Sequence, residues 1–132
     1  MDTRSQVGDI LNATNATPSE VLHEIDVPYK SEEECYREFP QDWFDKYYTR
    51  DKICAGHYNK SIAVCRGDSG GGLVFRNNDD NRYYIHGIVS VGYTKKVNSV
   101  SVCNIQVSTL FTKVAEHYPW LDKIVSKYTT IV

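Results

Sequence analysis

The segment that most constrains the fold of this chain is residues 65–72, which read Cys-Arg-Gly-Asp-Ser-Gly-Gly-Gly. Four glycines fall within six positions there, and glycine reaches backbone angles that other residues rarely adopt. We therefore predict a loop of unusual turns with exposed main-chain amides. Such amides beside a serine are what an acyl-transfer enzyme needs to hold a developing oxyanion, although a plain surface turn can have the same composition.

Short apolar runs separated by turn residues surround this loop and indicate a β-rich body. The asparagine- and aspartate-rich segment 77–81 predicts the turn of a hairpin. Short strands at such spacing favour a small barrel or sandwich. The predicted strands occupy residues 21–27, 53–55, 72–75, 83–91 and 109–114.

Helical segments are predicted in two parts of the chain. Ser31 and Glu34 form a capping-box match, which predicts a short helix to about Arg37, and residues 42–48 suit another helical turn. Apolar residues at helical spacing in 114–128 predict a terminal helix docked on the β-body. The polar residues 2–18 are predicted to form a loop or an irregular entry segment.

Cysteine spacing and glycosylation sequons indicate the compartment. The four cysteines lack the Cys-x2-Cys spacing of a zinc site or a redox dithiol, and an even, widely spaced set suits two disulfides. Buried free thiols are the alternative, and four cysteines allow three pairings. Three Asn-x-Ser/Thr sequons, at Asn12, Asn15 and Asn59, favour the secretory route and an extracellular location. We predict no metal site and no cofactor.

Size and charge exclude several classes of protein. A chain of 132 residues is long enough for one domain, or one lobe of a larger one, with a real core. A net charge of −2 offers no broad basic surface, so a nucleic-acid partner is not expected. No apolar run approaches the ~18 residues of a membrane span, and residues 1–6 lead into no apolar stretch. We therefore expect neither a membrane segment nor a secretory signal in this chain.

The motif Gly-Asp-Ser-Gly-Gly at 67–71 also fits the nucleophile elbow of α/β-hydrolases. That elbow needs a strand before the serine, a helix after it, and an acid and then a histidine downstream. Here more glycine and a strand-like run at 73–75 follow the serine, and strands do not alternate with helices along the chain. We therefore reject this alternative.

Four segments stand in order along the chain: Ile-Cys-Ala-Gly at 53–56, Gly-Asp-Ser-Gly-Gly at 67–71, Gly-Ile-Val-Ser-Val-Gly at 87–92 and Phe-Thr-Lys-Val at 111–114. In order and spacing they resemble the C-terminal half of a chymotrypsin-family serine endopeptidase, most closely the arthropod haemolymph-type modular proteases. The resemblance runs from about Gly8 to the terminal helix.

The resemblance implies an all-β fold, the second six-stranded antiparallel Greek-key barrel of the chymotrypsin-like fold, followed by a C-terminal α-helix. Residues 1–132 would then be one partial peptidase domain, its C-terminal barrel only. Ser69 would be the nucleophile, and the amides of Gly67 and Ser69 would form the oxyanion hole. Asp68 would pair with a newly cut N-terminal amine in an activated protease. The implied disulfides are Cys35–Cys54 and Cys65–Cys103.

The same resemblance implies a substrate pocket. Ala63 carries no charge at its base, so cleavage after Arg or Lys is not expected. Thr109 stands where many members have glycine and should narrow the slot, which suits a small or medium apolar side chain before the scissile bond. The implied pocket residues are Ala63, Ser90, Val91, Gly92 and Thr109.

The family's catalytic histidine and aspartate come from the first barrel, which this chain does not contain. No acid partner is placed by sequence for any of the histidines present, His23, His57, His86 and His117. The chain alone is therefore expected to be nearly inactive, with a polypeptide substrate and the missing N-terminal barrel as its partners.

Three interpretations remain open at this point. The chain is a piece of a secreted serine endopeptidase, or a partial sequence of one. Alternatively, it is a non-catalytic homologue that keeps the fold as a binding module. The least favoured interpretation is a free-standing hydrolase with a rebuilt site. The intact 67–70 segment favours the first over the second, because a module without catalysis need not keep it.

Overall fold

The structure is a computed structural model that describes residues 3–7 and 20–129. Its strands are β1 Thr3–Val7, β2 His23–Asp26, β3 Tyr29–Lys30, β4 Lys52–Ala55, β5 Gly72–Asn77, β6 Arg82–Val91, β7 Thr94–Val97, β8 Val100–Cys103 and β9 Thr109–Lys113. Its helices are α1 Glu32–Tyr36, α2 Gln41–Tyr47 and α3 Tyr118–Tyr128, the last preceded by a 3-10 turn at Val114–His117.

Seven strands form one antiparallel sheet in the order β2-β1-β5-β6-β9-β4-β3. The two edge strands, β2 and β3, are separated only by Val27 and Pro28, so they are two parts of one strand that is interrupted at the proline. Proline has no N–H to donate, and the Pro28 carbonyl instead accepts from the Gly56 N–H at 3.0 Å.

When residues 23–30 are counted as one strand, six antiparallel strands surround the core. The prediction of a chymotrypsin-like barrel with a terminal helix is therefore confirmed, although the hydrogen-bond ladder does not run continuously around the barrel. β7 and β8 form a separate two-stranded ribbon, which was not predicted from the sequence.

Local sequence signals explain several of these elements. At α1 the Ser31 hydroxyl accepts from the Glu34 N–H at 3.2 Å, and the Glu34 carboxylate accepts from the Ser31 N–H at 3.4 Å, which is the predicted capping box. The predicted hairpin joins β5 to β6, and Asn81 closes its turn with a φ of +61°. Asparagine tolerates this left-handed conformation better than most residues.

Two hydrophobic clusters lie on opposite sides of the β9–β4 part of the sheet. One cluster fills the barrel and contains Val27, Ile53, Ala55, Val64, Leu73, Val89 and Phe111. The second packs the two short helices against the barrel and contains Cys35, Phe39, Phe44, Cys54, Val107 and Leu110. Alternating residues of β4 and β9 enter one cluster or the other, as the period of two in a strand requires.

The entry segment differs from its prediction. Residues 3–7 form β1, which pairs with β2 on one side and β5 on the other, so the irregular segment predicted there is wrong for these residues. Pairing on both sides overrides a polar composition that carries no strong strand signal. The rest of the predicted segment, including Asn12 and Asn15, lies outside the described residues.

The terminal helix forms where it was predicted, but it packs loosely. No residue of α3 is fully buried, and only Leu121 and Ile124 are half-buried. A cavity of about 920 Å³ lies between α3 and strands β5 and β6. In the part of the chain described, α3 is the longest helix, and no helix there has the length and apolar character needed to cross a membrane.

Candidate active site

The glycine-rich serine loop, residues 65–71, directly precedes β5 and lies against β6. Gly67 and Gly70 have φ values of +100° and +86°, in the region that disfavours side chains. The Gly70 N–H donates to the Val89 carbonyl at 3.1 Å, and the Val89 N–H donates to the Gly71 carbonyl at 2.9 Å. These bonds fix the loop while Ser69 stays exposed to solvent.

Two main-chain amides beside the serine are left without an acceptor. The N–H groups of Cys65, Asp68, Gly70 and Gly71 all donate hydrogen bonds within the loop or to β6. Among the described residues, no acceptor is found for the amides of Gly67 and Ser69. A pair of unoccupied N–H donors at a nucleophile is the chemical requirement for holding an oxyanion.

Asp68 points away from the serine hydroxyl and into the protein. Only 7% of its surface is exposed, and its carboxylate accepts from the Cys65 N–H at 2.8 Å. The Asp68 N–H in turn donates a hydrogen bond to the Cys65 carbonyl at 3.0 Å. The loop therefore holds a buried, hydrogen-bonded carboxylate at the residue next to the serine.

A cavity of about 180 Å³ opens beside Ser69. Three of the predicted pocket residues, Ser90, Gly92 and Thr109, line it. Ala63 is buried next to it without reaching its surface, and Val91 packs into the helix-side cluster instead. Sequence reasoning missed several lining residues, some of which directly follow predicted positions: Val64, Arg66, Tyr93, Thr94 and Asn104.

Both implied disulfides are present. Cys35–Cys54 joins α1 to β4, and Cys65–Cys103 joins the serine loop to the end of β8. The described chain has no free cysteine. The second bridge ties the serine loop to the ribbon side of the cavity, so the two sides of the cavity are covalently linked.

A buried carboxylate supports the wall that contains Thr109. Glu38 accepts from the N–H of Ser108 at 3.0 Å and from its hydroxyl at 2.9 and 3.1 Å. The ammonium of Lys30 lies 2.9 Å from the same carboxylate, and both side chains are largely buried. Sequence reasoning missed this contact because Glu38 and Ser108 are 70 residues apart.

The histidines described by the structure lie away from the cavity. The His57 ring nitrogen is 2.8 Å from the Asp26 carbonyl oxygen, and the His86 ring stacks on Phe75 at 4.5 Å. His23 is exposed on β2. None of these histidines, nor His117, lines the cavity beside the serine.

His117 belongs to a polar cluster at the start of the terminal helix. Its Nε2 lies 3.2 Å from the carboxylate of Asp51, which also accepts from Lys52 and Thr49. The Lys52 bond, then the bonds from Thr49 and His117, hold the pKa of the Asp51 carboxyl well below its ordinary value of 3.8.

Of the three predicted glycosylation sites, Asn59 lies within the described residues. It is exposed in the segment that connects β4 to the serine loop, with a φ of +60°. Its N–H donates to the Gln106 carbonyl at 2.7 Å, so its backbone is held while its side chain faces solvent.

The amino-acid sequence of the chain is similar to those of known proteins. Residues 2–121 match the family described as Trypsin. The chain is 30% identical over 107 residues to the clotting factor G beta subunit of Tachypleus tridentatus and 33% identical over 111 residues to chymotrypsin-C of Rattus norvegicus. These matches cover 79% and 83% of this chain.

A third relative is the mannan-binding lectin serine protease 1 of Homo sapiens, 37% identical over 73 residues, or 55% of this chain. The matched regions make up 32% of the clotting factor subunit, 37% of chymotrypsin-C and 10% of the lectin-associated protease. The chain therefore spans only about a third, or less, of the length of these proteins.

Proposed function

Because the chain belongs to the trypsin family of serine proteases, we propose that it supplies the nucleophile and the substrate pocket of a serine endopeptidase. One observation carries this proposal: Ser69 is exposed and lines a cavity of about 180 Å³, and within the described part of the chain no acceptor is found for its own N–H or for that of Gly67. A plain surface turn has no need for all three features together.

In this mechanism the Ser69 Oγ attacks the carbonyl carbon of the scissile peptide, and its proton moves to a general base. The amides of Gly67 and Ser69 hold the negative charge on the former carbonyl oxygen. The C–N bond then breaks, the amine leaves with the transferred proton, and water hydrolyses the acyl-enzyme at Ser69. Asp68 would pair with the N-terminal amine that activation cleavage creates, and this pair would stabilise the shape of the loop.

The general base and its acid partner are proposed to come from an N-terminal barrel of the same protease. Two findings support this proposal. The described histidines are engaged elsewhere or lie away from the serine, and the curated relatives are about three times as long as the matched region or longer. A partner barrel would also cover large apolar side chains that are exposed in this chain: Tyr83, Tyr84, Ile85, Tyr118, Trp120 and Val125.

The pocket favours a small or medium apolar residue before the scissile bond. Ala63 is buried beside the cavity and adds no charge there, and Thr109, with 4% of its surface exposed, lines the wall. An Ala63→Asp substitution in the complete protease is expected to add cleavage after Arg or Lys, because a buried carboxylate can pair with a basic side chain. Unchanged specificity in a folded A63D protein would contradict this assignment of the pocket base.

We further propose that the protein acts outside the cell. The two disulfides form and persist in oxidising compartments, and Asn59 is exposed as an N-glycan acceptor must be. Treatment of protein from a secreting host with a glycosidase, followed by mass measurement, tests this at Asn12, Asn15 and Asn59.

Labelling with a fluorophosphonate tests the nucleophile. The purified chain alone is expected to react very weakly, and co-expression with a first barrel that contains the histidine and the aspartate should restore labelling. The label should map to Ser69 and disappear in Ser69→Ala. Strong labelling of the isolated chain would contradict the need for a first barrel, and no labelling of the complete folded protein would favour a non-catalytic binding module.

A further inference from the structure

The β7–β8 ribbon (residues 94–103) stands apart from the main sheet and is rooted at the cavity. Its turn consists of Asn98 and Ser99, both with positive φ, as a two-residue type I′ hairpin requires. The Asn104 N–H donates to the Tyr93 carbonyl at 2.8 Å and closes the base. Tyr93 itself packs against the aromatic side chains of Phe39 and Trp43.

The strand register decides which face of the ribbon meets the cavity. Thr94 pairs with Cys103 and Lys96 pairs with Ser101, so these four side chains share one face. Cys103 is bonded to Cys65 in the serine loop, and Thr94 lines the cavity, so this is the face turned to the active site. Lys95 lies on the opposite face.

The cavity rim is positively charged even though the chain is acidic overall. Residues 81–115 contain no aspartate or glutamate, and Arg66 lines the cavity beside Ser69. Lys96 follows Thr94 by two residues, which is roughly 7 Å along the strand. Arg66 and Lys96 are exposed, and neither pairs with a carboxylate of the described residues. The nearby charge of Asp68 is buried and hydrogen-bonded.

We propose that Lys96 and Arg66 form a subsite for an acidic side chain of the polypeptide substrate, close to the scissile bond. This inference rests on the proposed peptidase function and deepens it. Arg66 lines the cavity from the serine loop. Lys96 lies on the ribbon face that carries Thr94 and Cys103, one step beyond the cavity lining. In the proposed subsite an extended peptide that leaves the cavity along this face meets both cations. The Cys65–Cys103 disulfide links the loop that carries Arg66 to the ribbon that carries Lys96, so the two backbone segments need little rearrangement when the substrate binds.

The test uses the complete activated protease and fluorogenic peptides that share one apolar residue before the scissile bond. A single glutamate is placed in turn at each of the three residues that precede this apolar residue and at each of the four residues that follow the bond, with glutamine in the matched neutral peptide. At low ionic strength kcat/KM should favour one glutamate peptide by about three- to tenfold, and the ratio should approach one in ~1 M salt.

Lys96→Gln should remove most of this preference and Lys96→Glu should reverse it, whereas Lys95→Gln, on the other face of the same strand, should keep it. Equal cleavage of the glutamate and glutamine peptides at all positions would overturn the subsite and leave the peptidase function intact. If no peptide is cleaved and Ser69 is not labelled, the peptidase function fails.

Fluorescence anisotropy with Ser69→Ala protein and the labelled glutamate peptide then measures binding at the subsite independently of cleavage. Salt-sensitive binding that depends on Lys96 but not on Lys95 supports the rim as an acidic-peptide site. Equal binding of the glutamate and glutamine peptides, or no binding of either, refutes it.

Discussion

Glu38 is a buried carboxylate that ties the segment after α1 to the wall of the pocket. Its side chain is 6% exposed, and it accepts from both the amide and the hydroxyl of Ser108 while pairing with Lys30. Glu38→Ala removes all of these interactions at once. It leaves a buried N–H and a largely buried ammonium without a partner, which is the costly way to break an ion pair.

The expected loss is about 3 kcal/mol in the free energy of unfolding, at the lower end of the range for a broken buried pair. The lower end applies because the Lys30 side chain keeps 13% exposure and can turn its ammonium towards water. Glu38→Gln keeps an acceptor oxygen for Ser108 and should lose only about 1–2 kcal/mol.

Urea unfolding followed by tryptophan fluorescence measures these changes, since Trp43 stacks on Phe39 in the cluster beside this contact. With a slope of roughly 1.5 kcal/mol per molar urea for a chain of this size, the midpoint should fall by about 2 M in Glu38→Ala. The complete protein is used if the isolated chain self-associates.

Glu33→Ala is the matched control, because Glu33 forms an equally short ion pair with Arg37 in which both side chains are exposed. That variant should lie within about 0.5 kcal/mol of the wild type. The reasoning about burial is refuted if Glu38→Ala behaves like Glu33→Ala, or if Glu38→Ala and Lys30→Met lose stability additively in a double-mutant cycle.

Two further outcomes are expected from the barrel and from its polar cluster. Gly87→Ala should lower the free energy of unfolding by about 1–3 kcal/mol, because its new Cβ would lie 3.0 Å from the Cβ of Phe111 inside the core. In Gly92→Ala the new Cβ meets no atom of the described residues within 4 Å, so this control should be nearly as stable as the wild type. The two variants are compared by their urea unfolding midpoints. Asp51→Asn should lower the free energy of unfolding by about 1–2 kcal/mol at pH 7. Because the folded pKa of Asp51 is depressed, this difference should shrink as the pH falls below about 4 and vanish at lower pH, and a constant difference down to pH 2 would contradict the role assigned to Lys52.

The sequence predicted those elements whose signal is local. The capping box at Ser31, the asparagine-rich turn before β6 and the apolar runs of β4 and β9 each determine a structure within a few residues. The disulfide pairs were predicted only through the family resemblance, since spacing alone left three pairings open.

The features that were missed depend on contacts between distant residues. β1 is polar and becomes a strand because β2 and β5 flank it, and the pocket wall depends on a bond between Glu38 and Ser108. The β7–β8 ribbon had a usable signal, because β-branched residues stand on both sides of Asn98 and Ser99. That signal was weak because serine is an uncommon second residue in a type I′ turn.

The interrupted strand at residues 23–30 has a consequence for how the isolated barrel would self-associate. Open sheet margins are templates for fibril growth, but both margins of the seven-stranded sheet belong to this one short segment. Pro28 offers no N–H, and the Asp26 carbonyl is already occupied by His57. We therefore expect any aggregates of the isolated chain to form through its exposed apolar side chains and to bind no amyloid dye. They should disperse when an N-terminal barrel covers those side chains.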